Sequence, residues 1–600
     1  YIVKIYININ SYKIYLKKGG TTMSEVMKTM SFERILELAL QDYYTKGKIF
    51  EVEEKDFHKD IDNSIEMEFC GEYLRYPVGP AAGPHTQLTQ NFLAAYLTGC
   101  RYFEPKTVQI VDGKQMQEMI ARPCIDVKNV GYNVEWSTEL TVEEAKEEYI
   151  KASVLMQVMG IELGLSDVKD FILNISVGYD LEGIQSKKIS DFIDDLKDAK
   201  NTEAFKECIE VLKKNINKFK KFKLEDIDKI TSKITNIVTL STMHGCKASE
   251  ILNIAIHLIS NKKINTLLKC NSTLLGYDAV REILDNLGYN DIELKREDFD
   301  HDLQFDMAKE IIAKLLETAK ENNVKFAVKL TNTLPVVNTR NVMPGEAMYM
   351  SGKPLYPIAI NVAKKIASEF KDITISMSGG IDKNNVLDIF NAGIAPITIS
   401  TLFLQPKGYT NNNAVLNEMK KAGQAPRGLN LEALNALADK AKSDANYKNK
   451  GNGKVLEDKL ETFDCLKSCG ICVDVCPNRA NMRVVVEGLT ANYQIAHVEN
   501  MCNECGNCHM FCPRGGFPYF KKTTIYKNLE EYKDSKNTGL LRIGENKFLL
   551  REDGKEYIYV ANSKEDKSKL EMTVETILKD YPYYIDNIGV LSEEELKSYV

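Results

Sequence analysis

Short runs of β-branched and aromatic residues alternate with longer stretches whose apolar residues recur at helical spacing, from about residue 66 to about residue 430. Eight of the short runs read as strands: 76–82, 102–107, 171–177, 237–241, 266–271, 326–331, 373–377 and 397–400. Strands separated by helices pair in parallel, because a helix-length connection is needed to return the chain to the start of the next strand. Eight such units over residues 66–430 predict an α/β fold, a closed (β/α)8 barrel. The third crossover is long. Residues 181–233 are rich in Lys, Asp and Glu, with apolar positions at helical spacing as in Phe192, Ile193 and Leu196. They predict an amphipathic helical insert on the barrel rim, with a lid or docking surface as the alternative.

Flanking the barrel, residues 1–65 form an N-terminal extension that turns helical and charged over 30–60. Residues 1–22 lack a starting Met and are rich in Tyr, Ile, Lys and Asn. They are expected to be a translated upstream region or ragged fragment, with Met23 as the natural start. Residues 431–460 predict a helix (433–450) and a linker at 451–453, residues 461–520 a cysteine-rich domain, and residues 521–600 a β-rich tail. Hairpin signals at 544–546 and 553–554 support the last reading.

Composition narrows the class. Hydrophobic residues at 44% and charged residues at 27% describe a globular protein with sizeable cores. A net charge of -7 argues against a nucleic-acid partner. No apolar run approaches the roughly 18 residues that span a bilayer, so no membrane partner is expected. The most apolar stretch, 251–259, carries Asn253 and His257 and reads as a helix against a core. Of the 14 cysteines, six are scattered and eight fall between Cys465 and Cys512. Nothing resembles a signal peptide, so the expected location is the reducing cytoplasm.

Cys502, Cys505, Cys508 and Cys512, followed by Pro513, have the C-x2-C-x2-C-x3-C-P spacing of bacterial ferredoxins. In that spacing three thiolates meet one cubane and the fourth serves a second cluster. The companion set is present and comes first along the chain: Cys465, Cys469, Cys472 and Cys476, then Pro477, with three residues rather than two between its first pair. The crossed pattern assigns Cys465, Cys469, Cys472 and Cys512 to one [4Fe–4S] cluster, and Cys502, Cys505, Cys508 and Cys476 to another. Two four-cysteine zinc sites are the alternative. Adjacent clusters conduct electrons, and a conduit needs a redox partner at each end, so the barrel is expected to hold a redox cofactor.

Barrel active sites lie at the C-terminal ends of strands. Those ends carry Ala81-Ala82-Gly83, small enough to admit a flat ring, then Lys106-Thr107, Lys269, Thr331-Asn332-Thr333, Ser378-Gly379-Gly380 and Ser400-Thr401. Glycines and hydroxyls after the last two strands suit a phosphate. Lysines at strand ends suit the N1/O2 edge of a flavin.

The stretches YPVGPAAGP, YFEPKTV, GYNVEWS, TLSTMHGC, KLTNTLP, MYMSGKPLYP, SGGID, PITISTLFLQP, CVDVCPNRAN and CNECGNC make the chain recognisable. Residues 66–410 resemble the FMN barrel of dihydropyrimidine dehydrogenase and its dihydroorotate dehydrogenase relatives. Residues 24 to about 575 resemble a family named for a selenate reductase subunit. The resemblance implies FMN near Ala81, Ala82, Gly83, Lys106, Thr107, Lys269, Gly352, Gly379, Gly380, Ser400 and Thr401, and a planar heterocyclic substrate on its face. It implies that Asn133, Glu135, Asn332 and Thr333 hold that substrate, Asn332 having a turn role as its alternative. It implies Cys246 as general acid, with His244 as the other candidate and a buried structural Cys as the bland reading. The relatives' fourth-strand Asn is Thr239 here, which allows a substrate other than a pyrimidine. The family's association with purine catabolism implies an oxopurine such as urate or xanthine, with a pyrimidine next. Longer members carry an FAD and pyridine-nucleotide domain between barrel and clusters, whereas about 30 residues separate them here. A separate FAD/NAD(P)H flavoprotein or a ferredoxin is therefore the expected donor. Reduction with electrons entering at the clusters is the expected direction. The reverse reaction, and an electron-transfer subunit of a larger dehydrogenase or reductase complex, are the alternatives.

Overall fold

The computed structural model describes residues 27–586 apart from 61–62, 112, 121, 129, 135–136, 243–248, 340–342, 344, 452–458 and 466–468. Residues 1–22, most of the 451–453 linker, and Glu135, His244 and Cys246 therefore lie outside the described residues.

Each of the eight strand-forming runs contains a strand: β1 (Val78–Pro80), β2 (Tyr102–Phe103), β3 (Ile172–Gly178), β4 (Ile237–Ser241), β5 (Asn265–Cys270), β6 (Phe326–Leu330), β7 (Ile375–Met377) and β8 (Ile397–Ile399). They pair in parallel in the order β1-β8-β7-β6-β5-β4-β3-β2. The Arg101 and Glu104 N–H groups donate to the Val78 and Pro80 carbonyls at 2.9 and 3.0 Å, which brings β2 back beside β1. The chain is thus an eight-stranded (β/α) barrel. β3 to β6 are buried along their whole length. Helices outside and packed side chains inside leave neither face for water, which explains their near-continuous apolar runs. β1 and β2 are shorter than the sequence runs: the Ala81 and Glu104 N–H groups still donate to Ile399 and Pro80 of neighbouring strands, and the residues that follow form a rim.

Between β2 and β3 runs the helix Val142–Leu163. Its Thr141–Glu144 capping box satisfies the first N–H groups, and Gly164 ends it. Two insert helices, Lys187–Lys197 and Glu203–Lys214, bury Phe192, Ile193, Leu196 and Phe205, Cys208, Leu212. Both pack on Val142–Leu163, so the insert extends the outer helical layer. The predicted helix over 433–450 is shorter, Leu431–Ala441, because Asp444 accepts the Asn446 N–H at 2.9 Å and starts a separate turn.

A second, antiparallel sheet caps the C-terminal end of the barrel. Its strands are Ile125–Asp126, Gly131–Asn133, Ala347–Ser351 and Leu334–Val337, in that spatial order. A third sheet joins the cysteine-rich region to the tail. β9 (Asn481–Val484), β10 (Gln494–Val498), β11 (Thr523–Tyr526), β12 (Gly539–Arg542), β13 (Lys547–Glu552) and β14 (Lys555–Val560) pair in sequence order. The hairpin signals at 544–546 and 553–554 are the β12–β13 and β13–β14 turns. β10 and β11 pair in parallel across residue 520, so the tail is continuous with the cysteine region rather than a separate cap. Among the described residues no helix is long and apolar enough to cross a membrane.

At the N-terminal end of the barrel, Asp170 takes Arg101 Nε at 2.8 Å and Arg75 Nη1 at 3.2 Å, all three side chains being buried. Removing the carboxylate strands two buried guanidinium groups. Asp170→Ala is expected to lose about 3–5 kcal/mol, read as an earlier midpoint in chemical denaturation; an unchanged midpoint would show the pair to be energetically idle.

Candidate functional site

The C-terminal ends of the strands, roofed by the rim sheet, enclose an open-mouthed cavity of about 1050 Å³ of empty space. One wall is Ala81, Ala82 and Gly83 after β1 with Lys106 and Thr107 after β2. A second wall, which adjoins the first where Ser400 meets Gly83, holds Gly352, Gly379, Gly380, Ser400 and Thr401, and Lys269 of β5 also lines the space. Asn133 from the rim sheet and Asn332 and Thr333 after β6 line the same space. The structure therefore gathers every described residue singled out at the strand ends around one cavity. Thr239 is elsewhere. It is buried in the barrel interior, within hydrogen-bond distance of the Asn174 amide, while Ser241 at the end of β4 reaches the cavity.

The second wall is built for an anion. Gly380 has φ +63°, and a Cβ there would stand 2.5 Å from the Gly352 carbonyl oxygen, so only glycine lets the chain turn this closely. Among the described residues, the N–H groups of Gly379, Gly380 and Thr401 donate to no protein acceptor. The buried Thr331 hydroxyl also lacks a partner. The three N–H groups lie on the partly open side of the cavity and the hydroxyl in its interior, where they can meet a ligand or water. These features fit a phosphate-bearing cofactor with a flat ring against Ala81–Gly83.

Beneath the cavity, Lys329 and Glu104 form an ion pair of 2.8 Å with almost no exposure. Lys329 also donates to Ser376 Oγ at 3.1 Å and Thr398 Oγ1 at 2.6 Å. Burial opposes the Glu104 charge, but the Lys329 and Lys269 ammonium groups outweigh it and hold the carboxyl below its ordinary range. One carboxylate between two lysines leaves the floor net positive. Burial pushes the Lys106 ammonium down to about 7, against the opposing Glu139 carboxylate and Cys124.

The two cysteine sets are built alike. Each opens a one-turn helix, Ile471–Asp474 or Asn507–Phe511, after a left-handed glycine. Cys465, Cys469, Cys472 and Cys512 surround one void of about 310 Å³ of empty space. Burial and the neighbouring thiols, Cys476 among them, push the thiols of Cys502 and Cys508 well above their ordinary value, and Cys505 up to about 12. Ala480 N–H points at Cys476 Sγ (3.2 Å) and Glu504 N–H at Cys502 Sγ (3.3 Å), the hydrogen bonds by which a protein stabilises ligating thiolates. Among the described residues no three His, Cys, Asp or Glu side chains close around a single metal ion.

The second set is pressed onto the barrel. The Cys505 carbonyl accepts the N–H groups of Cys124 and Ile125 at 3.0 and 3.2 Å, and Ile125 lines the cavity. Asn507 Nδ2 donates to the carbonyl of Leu404, another cavity residue, at 2.8 Å. Buried Glu139 accepts from Arg122 Nη2 at 2.6 Å and from Asn503 Nδ2 at 2.7 Å. A Cβ on Gly506 would stand 2.3 Å from Pro123 Cβ, so the loop lies as close as its backbone allows.

A family profile described as "Oxidoreductase YgfK, N-terminal TIM-barrel domain" matches residues 50–450. The chain belongs to this oxidoreductase family. The Escherichia coli K12 and O157:H7 proteins named "Putative oxidoreductase YgfK" are each 39% identical over 477 residues, covering 76% of this chain and 46% of theirs. The chain thus spans about half the length of the curated relatives it matches.

Sequence reasoning missed the rim sheet and the docking residues. Leu334-Pro335-Val336-Val337 is apolar throughout and alternates only in burial, and strands of two or three residues leave no period to read. Arg122, Glu139 and Asn503 gave no signal, because their meeting is tertiary.

The position of Lys106 has a consequence for stability. A lysine held near 7 when folded and near its ordinary value of about 10.4 when unfolded binds fewer protons in the native state between those limits. Stability then rises with pH across that window and falls as pH drops towards 7. In flavin-free protein the thermal midpoint is expected to climb less between pH 7 and 10 in Lys106→Met than in the parent; parallel profiles would contradict the assignment.

Proposed function

We propose that the chain is an iron–sulfur flavoprotein oxidoreductase that reduces a ring double bond of an oxidised N-heterocycle, with electrons entering through two [4Fe–4S] clusters. The observation that carries this reading is the seam between the second cysteine set and the barrel. Cys505 is hydrogen-bonded to Cys124 and Ile125, and Ile125 is part of the cavity wall. A cluster held by Cys476, Cys502, Cys505 and Cys508 would lie against that wall, and one held by Cys465, Cys469, Cys472 and Cys512 on its solvent side, where Cys469 is exposed.

FMN bound in the cavity would supply hydride chemistry at a ring carbon, and the clusters one-electron storage. The protein's own part is positional and electrostatic. Gly379, Gly380, Ser400 and Thr401 would hold the phosphate. Ala81, Ala82, Gly83 and Gly352 leave room for a flat ring. Lys106, Thr107 and Lys269 would meet its polar edge, where the net positive floor favours negative charge. Asn133, Asn332 and Thr333, with Glu135 beyond the described residues, would hold the heterocycle. Cys246, or His244 in its place, would give the proton. Family resemblance favours an oxopurine such as urate or xanthine, then a pyrimidine. The short link of about 30 residues between the barrel and Cys465, too short for an FAD and pyridine-nucleotide domain, favours a separate FAD/NAD(P)H flavoprotein or ferredoxin as donor.

Anaerobically purified protein is expected to contain FMN, and urate, xanthine or uracil to restore the absorbance of its reduced flavin. If none does, an electron-transfer subunit is the better description. Cys465→Ser and Cys512→Ser are expected to remove the same paramagnetic centre and about half of the iron, and Cys476→Ser and Cys502→Ser the other. Pairing by sequence order instead would refute the crossed ligation.

A further inference from the structure

Two asparagines face the cavity, and each donates its amide hydrogen to an oxygen of the protein. Asn133 Nδ2 donates to the Val134 carbonyl at 2.8 Å. Asn332 Nδ2 donates to Asn271 Oδ1 at 2.6 Å. Asn271, the first residue after β5, could itself face either way, because an amide carries both donor and acceptor. Its own Nδ2, however, donates to Asp302 Oδ2 at 2.8 Å. Asp302 is fully engaged as an acceptor, taking the Thr273 hydroxyl on Oδ2 and the Leu303 N–H on Oδ1 at 2.7 Å. The Thr242 hydroxyl lies 3.3 Å from the same Asn271 oxygen, but its one hydrogen has a nearer acceptor in the Lys269 carbonyl at 2.9 Å, so the orientation of Asn271 rests on Asp302. An ionised carboxylate has no hydrogen to give. Each link is therefore set by the one before it. Asp302 takes the Asn271 amide hydrogens, the Asn271 oxygen takes those of Asn332, and the Asn332 oxygen is left for the cavity. Among the described residues, neither Asn332 Oδ1 nor Asn133 Oδ1 accepts a hydrogen bond from the protein.

We infer that Asp302, acting through Asn271, is a positioning residue that fixes the hydrogen-bond polarity of the ligand site, and that the site reads a planar ring edge displaying N–H donors, as paired lactams do. The inference rests on the reading that the cavity takes a planar heterocycle, and it narrows that class. A ring presenting only acceptors at this edge would meet two carbonyl oxygens and leave them buried without donors, which is strongly disfavoured.

The test uses FMN-loaded full-length protein and titrates the oxidised flavin absorbance with xanthine against 1,3-dimethylxanthine, and uracil against 1,3-dimethyluracil. The parent is expected to bind each methylated probe at least about 100-fold more weakly. In Asp302→Asn the new amide can donate to Asn271 as well as accept, so the relay loses its direction and the ratio should fall below about 10-fold. A purely steric rejection of methyl groups would leave the ratio unchanged. The double variant Asp302→Asn/Asn271→Asp places an acceptor-only group directly against Asn332, and should restore the parental ratio. It keeps one carboxylate in the relay, so the test survives if the single variant alone loses flavin. An unchanged ratio in the single variant, no recovery in the double, or loss of flavin from both would overturn the inference. Equal binding of both probes by the parent would overturn it alone. Flavin-loaded parent that responds to neither probe would overturn it together with the heterocycle reading.

Discussion

The contact between the Cys505 carbonyl and the N–H groups of Cys124 and Ile125 is the constraint on which the arrangement turns. Each backbone bond contributes only about 0.5–1.5 kcal/mol net, so the pair matters for register more than for strength. It ties the loop that carries three of the predicted cluster ligands to the segment that walls the cavity. Around it the chain spends larger interactions: the buried Glu139 carboxylate shared between Arg122 and Asn503, and the close approach of Gly506 to Pro123. A buried carboxylate bonded on one side to the barrel and on the other to the cysteine loop costs several kcal/mol if either partner is withdrawn. The two regions are thereby held in one relative position instead of being joined only through the linker.

The cavity follows the general logic of barrels, in which the strands fix a frame and the loops supply chemistry. What is particular here is the sign of its floor. Placing Lys329, Lys269 and a single Glu104 in the barrel interior is expensive unless each charge has a partner; Lys329 and Glu104 pair with each other, and among the described residues Lys269 has no ion-pair partner within 4 Å. The excess positive charge is therefore available to a group that gains negative charge in the cavity. Lys106, lowered by burial, adds a cation whose charge state changes near neutral pH.

Much of the fold was legible because a parallel barrel writes itself as repeated apolar runs. β3 to β6 are buried on both faces, and their sequences show it without ambiguity. The strand-end residues could be named for the same reason, since a barrel puts chemistry where strands stop. The rim sheet was illegible, because Ile125–Asp126 and Gly131–Asn133 are too short to carry a period. Asn271 and Asp302 were illegible for another reason. Their 31-residue separation closes through a hydrogen bond that only the tertiary structure creates. The cysteine spacing is legible as a pattern, and Cys465, Cys469, Cys472 and Cys512 line one void.

The parallel pairing of β10 with β11 also bears on how the molecule is divided. A chain cut after the last cysteine would keep β9 and β10 but strip the other edge of β10 of its neighbour, leaving a buried strand's N–H and C=O groups bare. Such edges recruit other copies of themselves. The cysteine region and the tail are one unit of manufacture: the piece that would carry electrons cannot be lifted out at that point as a soluble module.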